Sequence, residues 1–279
     1  MMDLWYRITD LLPFTWLQHM FMKNALMAIL IVTPIFGVVG TMVVNNRMAF
    51  FADSLGHSAL TGIAIGVILG IKNPVWSLIG FALLFSAAIL AVKNGSKTST
   101  DTVIGVFSSM AVALGIVILS RGGGFNKYST YLIGDLLSIT PGEIRMLGLV
   151  FIAAIIIWYF SFNKLLLVSI NESLAKSRGV KTYLLEIIFT ALVAVIVTIS
   201  IQWIGLLIIN SLLVLPAAGA RNIAASARQY HGYSVAISLF SGIIGLILSY
   251  YWGTATGATI ILVSASFFFI TFFLRKRIN

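Results

Sequence analysis

The sequence has no cysteine, and charged residues are scarce. Only 9% of its 279 residues are charged, whereas 59% are hydrophobic. The absence of cysteine excludes disulfides, thiolate metal ligands and thiol nucleophiles. A soluble domain carries about 25% charged residues, so this composition argues against a soluble enzyme. The apolar stretches are long and do not alternate with polar residues, which also argues against a β-barrel.

Long apolar blocks predict eight membrane-spanning helices, since one such helix needs about 20 mainly apolar residues. The blocks cover residues 20–44, 48–70, 74–93, 101–120, 143–162, 185–213, 233–252 and 255–274. Turn-forming residues such as Asn-Gly, Pro-Gly and a run of three glycines separate them. No large polar region is present. We therefore predict an all-α integral membrane protein with a single transmembrane domain over residues 1–279.

The net charge of +10 raises the question of nucleic-acid binding, but the basic residues do not collect on one face. They lie in short connectors between apolar blocks, as expected for loops that flank membrane helices. We expect membrane lipid and no nucleic acid as a partner. With the N-terminus inside, eight helices place the larger share of Lys and Arg on the inner side. Both termini are therefore expected in the cytoplasm.

Two connectors are too long to be simple turns. Residues 163–184 are expected outside, with a surface helix over about 165–180. Residues 214–232 are expected inside, where Pro216 ends the preceding helix and small residues surround Arg221 and Arg228. Small residues allow another protein surface to approach closely. This segment is either a docking element or an ordinary amphipathic linker.

The second apolar block contains an acid and a histidine. Asp53 and His57 are four residues apart, so they lie on one helix face, near the outer surface in this topology. Ionisable residues within a membrane mark functional sites, and a carboxylate with an imidazole suits a divalent transition metal. Ala49, Leu60 and Ala64 continue this face and leave room for a pathway. The alternative is a hydrogen bond that fixes the helix to a neighbour.

Other polar residues have simpler interpretations. Asp101 is expected to cap a helix, and Asp135 and Glu143 could be gate or cap residues in an inner connector, with Gly134 beside Asp135. The sequence has no GxxxxGK[ST] phosphate loop. If the protein uses ATP, a separate subunit must bind it.

Five segments in order resemble the membrane permease of bacterial ABC importers for zinc and manganese, the ABC-3 family. They are RMAFFADSLGHSALTGIAIG (47–66), DTVIGVFSSMAVALGIVILS (101–120), YLIGDLLSIT (131–140), ESLAKSRGV (172–180) and GLLIINSLLVLPAAGARNIA (205–224). The resemblance covers nearly the whole chain. It implies a fold of the vitamin B12 and siderophore permease type in the bacterial inner membrane.

The resemblance also implies partners and residue roles. It implies a permease homodimer, two cytoplasmic ATPase subunits and an extracytoplasmic metal-binding protein, with no cofactor and no enzymatic activity in this chain. Asp53 and His57 would contact the metal near an outer gate, and Gly134 with Asp135 are expected at an inner gate. A coupling helix seated on the ATPase would comprise Pro216, Ala217, Ala218, Gly219, Ala220 and Arg221. Gly219 departs from the threonine of many relatives.

The transported ion is expected to be Zn²⁺, because the sequences of the segments 131–140 (YLIGDLLSIT) and 212–221 (LLVLPAAGAR) resemble the zinc branch of the family more than the manganese branch. Three alternatives remain open. One is a manganese or iron importer of the same family. Another is an ATP-independent carrier or channel, which would need no docking segment and would often show paired broken helices. The third is a membrane metalloenzyme, which would need a further base at the depth of Asp53 and His57.

Overall fold

A computed structural model describes residues 2–71, 73–121 and 134–278. Regular structure in these ranges is entirely helical, with 3₁₀ turns at Thr15–Gln18 and Leu136–Ser138. The α-helices are α1 (Met2–Asp10), α2 (Met20–Asn45), α3 (Ala49–Ile68), α4 (Pro74–Gly95), α5 (Thr100–Arg121), α6 (Pro141–Ile170), α7 (Glu172–Ser177), α8 (Thr182–Ile204), α9 (Leu206–Ile223), α10 (Ala227–Trp252) and α11 (Thr256–Ile278).

Eight helices in the described ranges are long and apolar enough to cross a membrane, namely α2, α3, α4, α5, α6, α8, α10 and α11. The predicted all-α membrane architecture with about eight spanning helices is confirmed. Most predicted ends are close to the observed ones. The block at 20–44 corresponds to α2, and the block at 74–93 corresponds to α4.

The sixth predicted helix, 185–213, is wrong as a single element. Gly205 separates α8 from α9 with φ 83° and ψ 159°, a conformation that essentially only glycine adopts. Pro216 does not end a helix either, because it lies inside α9. Apolar composition runs unbroken through Gly205, so hydropathy gave no sign of the break. Membrane helices tolerate proline when neighbouring groups satisfy the freed backbone carbonyl.

The connector at 163–184 also differs from its prediction. Helix α6 continues to Ile170, so the separate surface helix is confined to α7 rather than about 165–180. Asn171 begins α7 as an N-cap, since its side chain accepts a hydrogen bond from the Leu174 amide at 3.0 Å. The short polar segment is thus a capped turn of helix next to a long spanning helix.

The chain divides into two compact units. The first comprises Met1–Val44, Asp135–Ala153 and Trp203–Asn279, and the second comprises Asn45–Gly134 and Ala154–Gln202. Helix α6 contributes its first part to the first unit and the remainder to the second. Each unit is described by itself below.

Glycine contacts hold the first unit together. A Cβ at Gly37 would lie 2.7 Å from the Val235 Cα in α10, and one at Gly245 would lie 2.6 Å from the Ile260 Cα in α11. Such close backbone approach is the usual packing mode of membrane helices, which gain no hydrophobic drive from lipid. The Ser234 hydroxyl adds a buried hydrogen bond to the Gly37 carbonyl at 2.6 Å.

The contacts in the first unit fix the helix directions. The His19 Nε2 before α2 lies 3.2 Å from the Tyr250 hydroxyl near the end of α10. At the other end of the pair, the Tyr230 hydroxyl donates to the Thr41 carbonyl at 3.5 Å. Helices α2 and α10 are therefore antiparallel. Gly40 of α2 packs on Leu213, and Val44 packs beside the cluster that contains Ala217 and Ala220, so α2 and α9 are parallel.

Helix α3 is the centre of the second unit, between α4 and α5. A Cβ at Gly62 would lie 3.2 Å from the Leu78 Cα in α4, and one at Gly115 of α5 would lie 2.8 Å from the Thr61 amide nitrogen. The Thr61 hydroxyl donates a buried hydrogen bond to the Ala111 carbonyl in α5. These contacts leave α3 little freedom to shift, so its side chains have fixed directions.

Replacing Gly40 by alanine should lower the stability of the folded protein. The new Cβ would lie 2.0 Å from the Leu213 carbonyl oxygen, so α2 and α9 would have to separate. Overpacking of this kind destabilises a protein by about 1–3 kcal/mol. Gly80→Ala is the matched control, because its Cβ would enter open space in α4. Thermal unfolding in detergent should show a lower melting temperature for Gly40→Ala only, and equal melting temperatures would contradict this packing.

Candidate functional site

Helix α3 is buried along most of its length but has one open stripe. The side chains of Asp53 and His57 are 40% and 49% exposed, whereas Ala52, Ser54 and Ser58 beside them are buried. The four-residue spacing brings the acid and the imidazole onto the same face, as the sequence predicts. The stripe is therefore the one polar surface on an otherwise packed segment of this helix.

The geometry of the pair suits a shared metal ion. The Asp53 Oδ2 and His57 Nε2 atoms are 3.6 Å apart, which is too long for a hydrogen bond between them. Two donors that each lie about 2.0–2.2 Å from one zinc ion can be separated by at most about 4.2 Å. The observed separation falls within that limit. The pair can therefore supply an oxygen and a nitrogen ligand to one divalent ion.

Two ligands do not complete a metal site. Among residues 2–71, 73–121 and 134–278, no group of three or more His, Cys, Asp or Glu side chains is placed to hold a metal ion. Tetrahedral zinc takes four ligands, so further ligands would come from water or another chain. Because Asp53 and His57 are partly exposed, water molecules or side chains of another chain can reach a metal ion bound between them.

The predicted continuation of the pathway along this face is wrong. Leu60 and Ala64 are buried and pack against Leu119 of α5. The close approach at Gly115 brings α5 onto this face, so the small side chains permit helix packing rather than an opening. Within the second unit, the open stripe ends at His57.

The open stripe places two ionisable side chains on the exposed face of a candidate membrane-spanning helix. Helix α3 is one of the candidate spanning helices, and a charged or strongly polar side chain facing lipid is costly. Exposed Asp53 and His57 are therefore expected to face a water-filled path or another protein chain. Both surroundings fit a transport function, and neither requires a catalytic one.

Most of the small residues that are predicted to couple to an ATPase are buried within the first unit. Ala217 and Ala220 are fully buried against Tyr230 and Ile237 of α10. A Cβ at Gly219 would lie 3.5 Å from the Phe268 Cα in α11. Small side chains here allow close packing of α9 against α10 and α11. Arg221 is the exposed member of the predicted set.

The exposed part of this region is the turn between α9 and α10. Ser226 caps α10 by accepting a hydrogen bond from the Gln229 amide at 3.3 Å, and Gln229 Oε1 accepts one from the Ala225 amide at 2.9 Å. This reciprocal pair resembles a capping box and fixes the turn. Arg221 and Arg228 are exposed on either side of it. We call residues 221–229 the basic turn.

The proposed gate residues have capping roles. The Asp135 side chain accepts a hydrogen bond from the Leu137 amide at 3.1 Å, and Gly134 precedes it with φ 64°. Glu143 accepts hydrogen bonds from the Thr140 amide and hydroxyl, each at 2.8 Å, which forms a capping box at the start of α6. Residues 131–133 of the same motif lie outside the described residues.

The prediction that Asp101 caps a helix is wrong, because Ser99 is the cap of α5. The Ser99 hydroxyl accepts a hydrogen bond from the Thr102 amide at 3.2 Å. Asp101 lies in the first turn of α5, where a negative charge interacts favourably with the helix dipole.

Sequence reasoning missed a charged cavity in the second unit. Its volume is about 330 Å³, and its lining includes Arg47, Lys93, Glu172 and Glu186. Lys93 of α4 forms an ion pair with Glu186 of α8. Glu186 lies one turn into α8 and inside the predicted apolar block 185–213, and a carboxylate at that position was the sequence feature that could have indicated the cavity.

Glu172 and Glu186, the two acids of this cavity, each form an ion pair with a lysine. Lys176 bonds to the Glu172 carboxylate at 2.7 Å, and this hydrogen bond holds the pKa of Glu172 below its usual range. Glu172 therefore stays ionised at neutral pH, with its charge matched by a lysine. Because Glu186 is paired with Lys93 as well, the cavity is a poorer site for a divalent cation than the α3 stripe.

Two curated relatives match almost the full chain. The high-affinity zinc uptake system membrane protein ZnuB of Haemophilus influenzae is 31% identical over 91% of this chain and 97% of its own length. The manganese import system permease protein ScaB of Streptococcus parasanguinis is 29% identical over 93% of this chain and 92% of its own length.

Solved structures support the same fold. PsaBC from Streptococcus pneumoniae, in complex with Fab, has a TM-score of 0.79 at 29% identity and covers 98% of this chain and 95% of the matched chain. An inward-facing metal-chelate-type ABC transporter has a TM-score of 0.70 at 15% identity, covering 98% and 97%, which bears on the fold only. The model of the ABC 3 transport family matches residues 18–275. The chain therefore belongs to the ABC 3 transport family.

Proposed function

We propose that this chain is the permease subunit of an ATP-dependent importer of divalent metal ions, with zinc as the favoured ion. The observation that carries the proposal is the open stripe of α3, where a carboxylate and an imidazole lie 3.6 Å apart on a membrane helix. Family membership supports transport, and the donor pair supports a divalent metal as the transported ion.

The donor types bear on the choice of metal. Imidazole is a common ligand of zinc, whereas manganese more often takes carboxylate, carbonyl and water oxygens. The pair contains one of each kind, so its preference for zinc is modest. The relatives divide in the same way, since one is described by its zinc uptake and another by its manganese import. Manganese import by this same chain is the alternative.

The proposed partners are an ATPase, a second permease copy and a metal-delivering protein, as is typical of the family. The sequence has no phosphate loop, so the ATPase would be a separate cytoplasmic subunit, present twice on a permease dimer. Two copies of α3 facing one path would supply two carboxylates and two imidazoles to the ion. A separate extracytoplasmic protein would deliver the metal. The exposed basic turn, rather than the buried small residues, supports ATPase docking.

Metal accumulation in a deletion strain tests the proposal. Cells that lack the chain should accumulate less zinc than the parent at limiting supply, and expression of the chain should restore the difference, as measured by elemental analysis. Manganese measured in the same samples distinguishes the alternative ion. Unchanged contents of both metals on deletion and on restoration would refute metal import.

A further inference from the structure

The charged cavity of the second unit lies where candidate membrane-spanning helices begin and end. Its lining includes Asn45 at the end of α2, Asn94 near the end of α4 and Ser169 near the end of α6. Met48, directly before α3, and Thr182, at the start of α8, also line it. The cavity is therefore at the level where membrane hydrocarbon meets water, and this placement is independent of the direction in which each helix crosses.

The lining changes from polar to apolar along the helices. On α6, Leu165 lies about one turn before Ser169, and on α8, Phe189 lies about two turns after Thr182. The apolar part of the lining is thus further from the helix ends than the polar part. This order matches a ligand with a polar head and an apolar remainder.

The cavity has one cation more than its acids neutralise. Lys93 pairs with Glu186, and Lys176 pairs with Glu172, so these four charges cancel. Arg47 also lines the cavity, its side chain is exposed, and it belongs to none of the ion pairs among the described residues. The charge complement of the cavity is therefore an anion.

Arg47 has an unusual backbone conformation. Its φ is 56°, which lies in the left-handed region where glycine or asparagine usually follows a helix end. A side chain with a Cβ is disfavoured in this region, and residues held in such conformations cluster at ligand clamps and other functional sites. Glycine would form the same turn with less strain, so the role of Arg47 lies in its guanidinium group.

We propose that this cavity binds the phosphate group of a phospholipid, with Arg47 as the principal contact. A planar guanidinium forms paired, charge-assisted hydrogen bonds with phosphate oxygens. Asn45 and Asn94 add amide donors to the lining. The volume of about 330 Å³ is at the lower end of the range for ligand sites, so it suits a head group rather than a whole lipid.

The adjoining face of α8 favours a lipid over free phosphate as the source of this group. Leu185 and Phe189 line the cavity, and beside them on the helix Leu184 and Ile188 are 51% and 38% exposed. Exposed apolar side chains on a spanning helix contact hydrocarbon, so acyl chains can continue along this face from a head group in the cavity. Basic pockets between membrane helices bind phospholipid head groups in this way. The proposal does not depend on metal import.

Lipid binding to the purified full chain tests the proposal. Delipidated protein in detergent is titrated with dioleoylphosphatidylglycerol, and bound lipid is counted by native mass spectrometry. Arg47→Gln should weaken binding of the first lipid at least about tenfold, as expected for loss of hydrogen bonds to a charged group. Arg47→Gly should weaken it equally without lowering the melting temperature, because glycine adopts a φ of 56° freely.

Arg121→Gln is the matched control, since Arg121 is an exposed arginine at the far end of α5. Thr100, at the start of α5, shares a small cavity with Lys93, so Arg121 is about 30 Å away along the helix. This variant should bind lipid like the parent. Equal binding by the parent and Arg47→Gln, or no lipid binding by the parent, would overturn the proposal.

Two competitors identify the part of the ligand that is recognised. Dioleoylglycerol has the acyl chains without the phosphate, and inorganic phosphate has the anion without the chains. Neither should displace dioleoylphosphatidylglycerol at equal concentration. Displacement by dioleoylglycerol would overturn phosphate recognition, and displacement by inorganic phosphate would overturn the lipid as the occupant of the cavity.

Discussion

Asp53→Asn and His57→Ala should each reduce metal uptake by at least about tenfold, while the protein still inserts in the membrane. Loss of an outer-shell partner of a metal typically reduces affinity or activity 10- to 100-fold, and loss of a ligand itself should do no less. Asp53→Asn keeps the size of the side chain and removes its charge. His57→Ala removes the imidazole. Neither change should disturb packing, because both side chains are partly exposed.

The matched control for the carboxylate is Asp101→Asn, which makes the same change at an exposed position in the first turn of α5. Uptake is measured as cell-associated zinc at equal membrane content of each variant. The control should transport like the parent. Near-parental uptake by both Asp53→Asn and His57→Ala would refute metal contact by the pair and would favour the alternative, in which the two side chains only fix α3 to a neighbour.

Charge reversal on the basic turn should release the ATPase and abolish most ATP-driven uptake. We expect the double variant Arg221→Glu, Arg228→Glu to lose at least about tenfold in uptake. An ATPase surface complementary to the basic turn would be acidic, and like charges placed across an interface cost several kcal/mol. Both side chains are exposed, so the fold should survive. Copurification of the co-expressed ATPase with the permease measures assembly, and uptake measures coupling.

Arg7→Glu is a suitable control, since it reverses an exposed arginine in α1, away from the basic turn in sequence. Gly219→Trp would be a poorer test of docking than charge reversal. Its side chain would enter the packed interface with α11, where the Phe268 Cα is only 3.5 Å from a Cβ. Full ATPase copurification together with full uptake by the arginine double variant would refute docking at this turn.

The local features of the chain follow from its sequence. A nearly continuous supply of apolar residues with few charges leaves no alternative to a membrane fold, because each backbone amide in lipid must be bonded within a helix. Polar and turn-forming residues mark most helix ends. The spacing of Asp53 and His57 is a property of the α-helix itself, so their common face needed no tertiary information.

The tertiary structure decided which faces are open and which way each helix runs. Leu60, Ala64, Ala217 and Ala220 suggest open or docking surfaces by their size, yet all four are buried where helices approach closely. The same small side chain permits contact with any neighbour, so sequence does not specify which neighbour takes the space.

The break at Gly205 is a second feature that the sequence did not specify. Hydropathy measures whether a segment is apolar and is insensitive to its direction, so α8 and α9 are one block in sequence and two helices in space. The contacts of His19 with Tyr250 and of Tyr230 with Thr41 show that α2 and α10 run in opposite directions. The sequence by itself determined a helical membrane protein with an acid and an imidazole on one helix face, whereas long-range packing decided which helix faces are open and which way α2, α9 and α10 run.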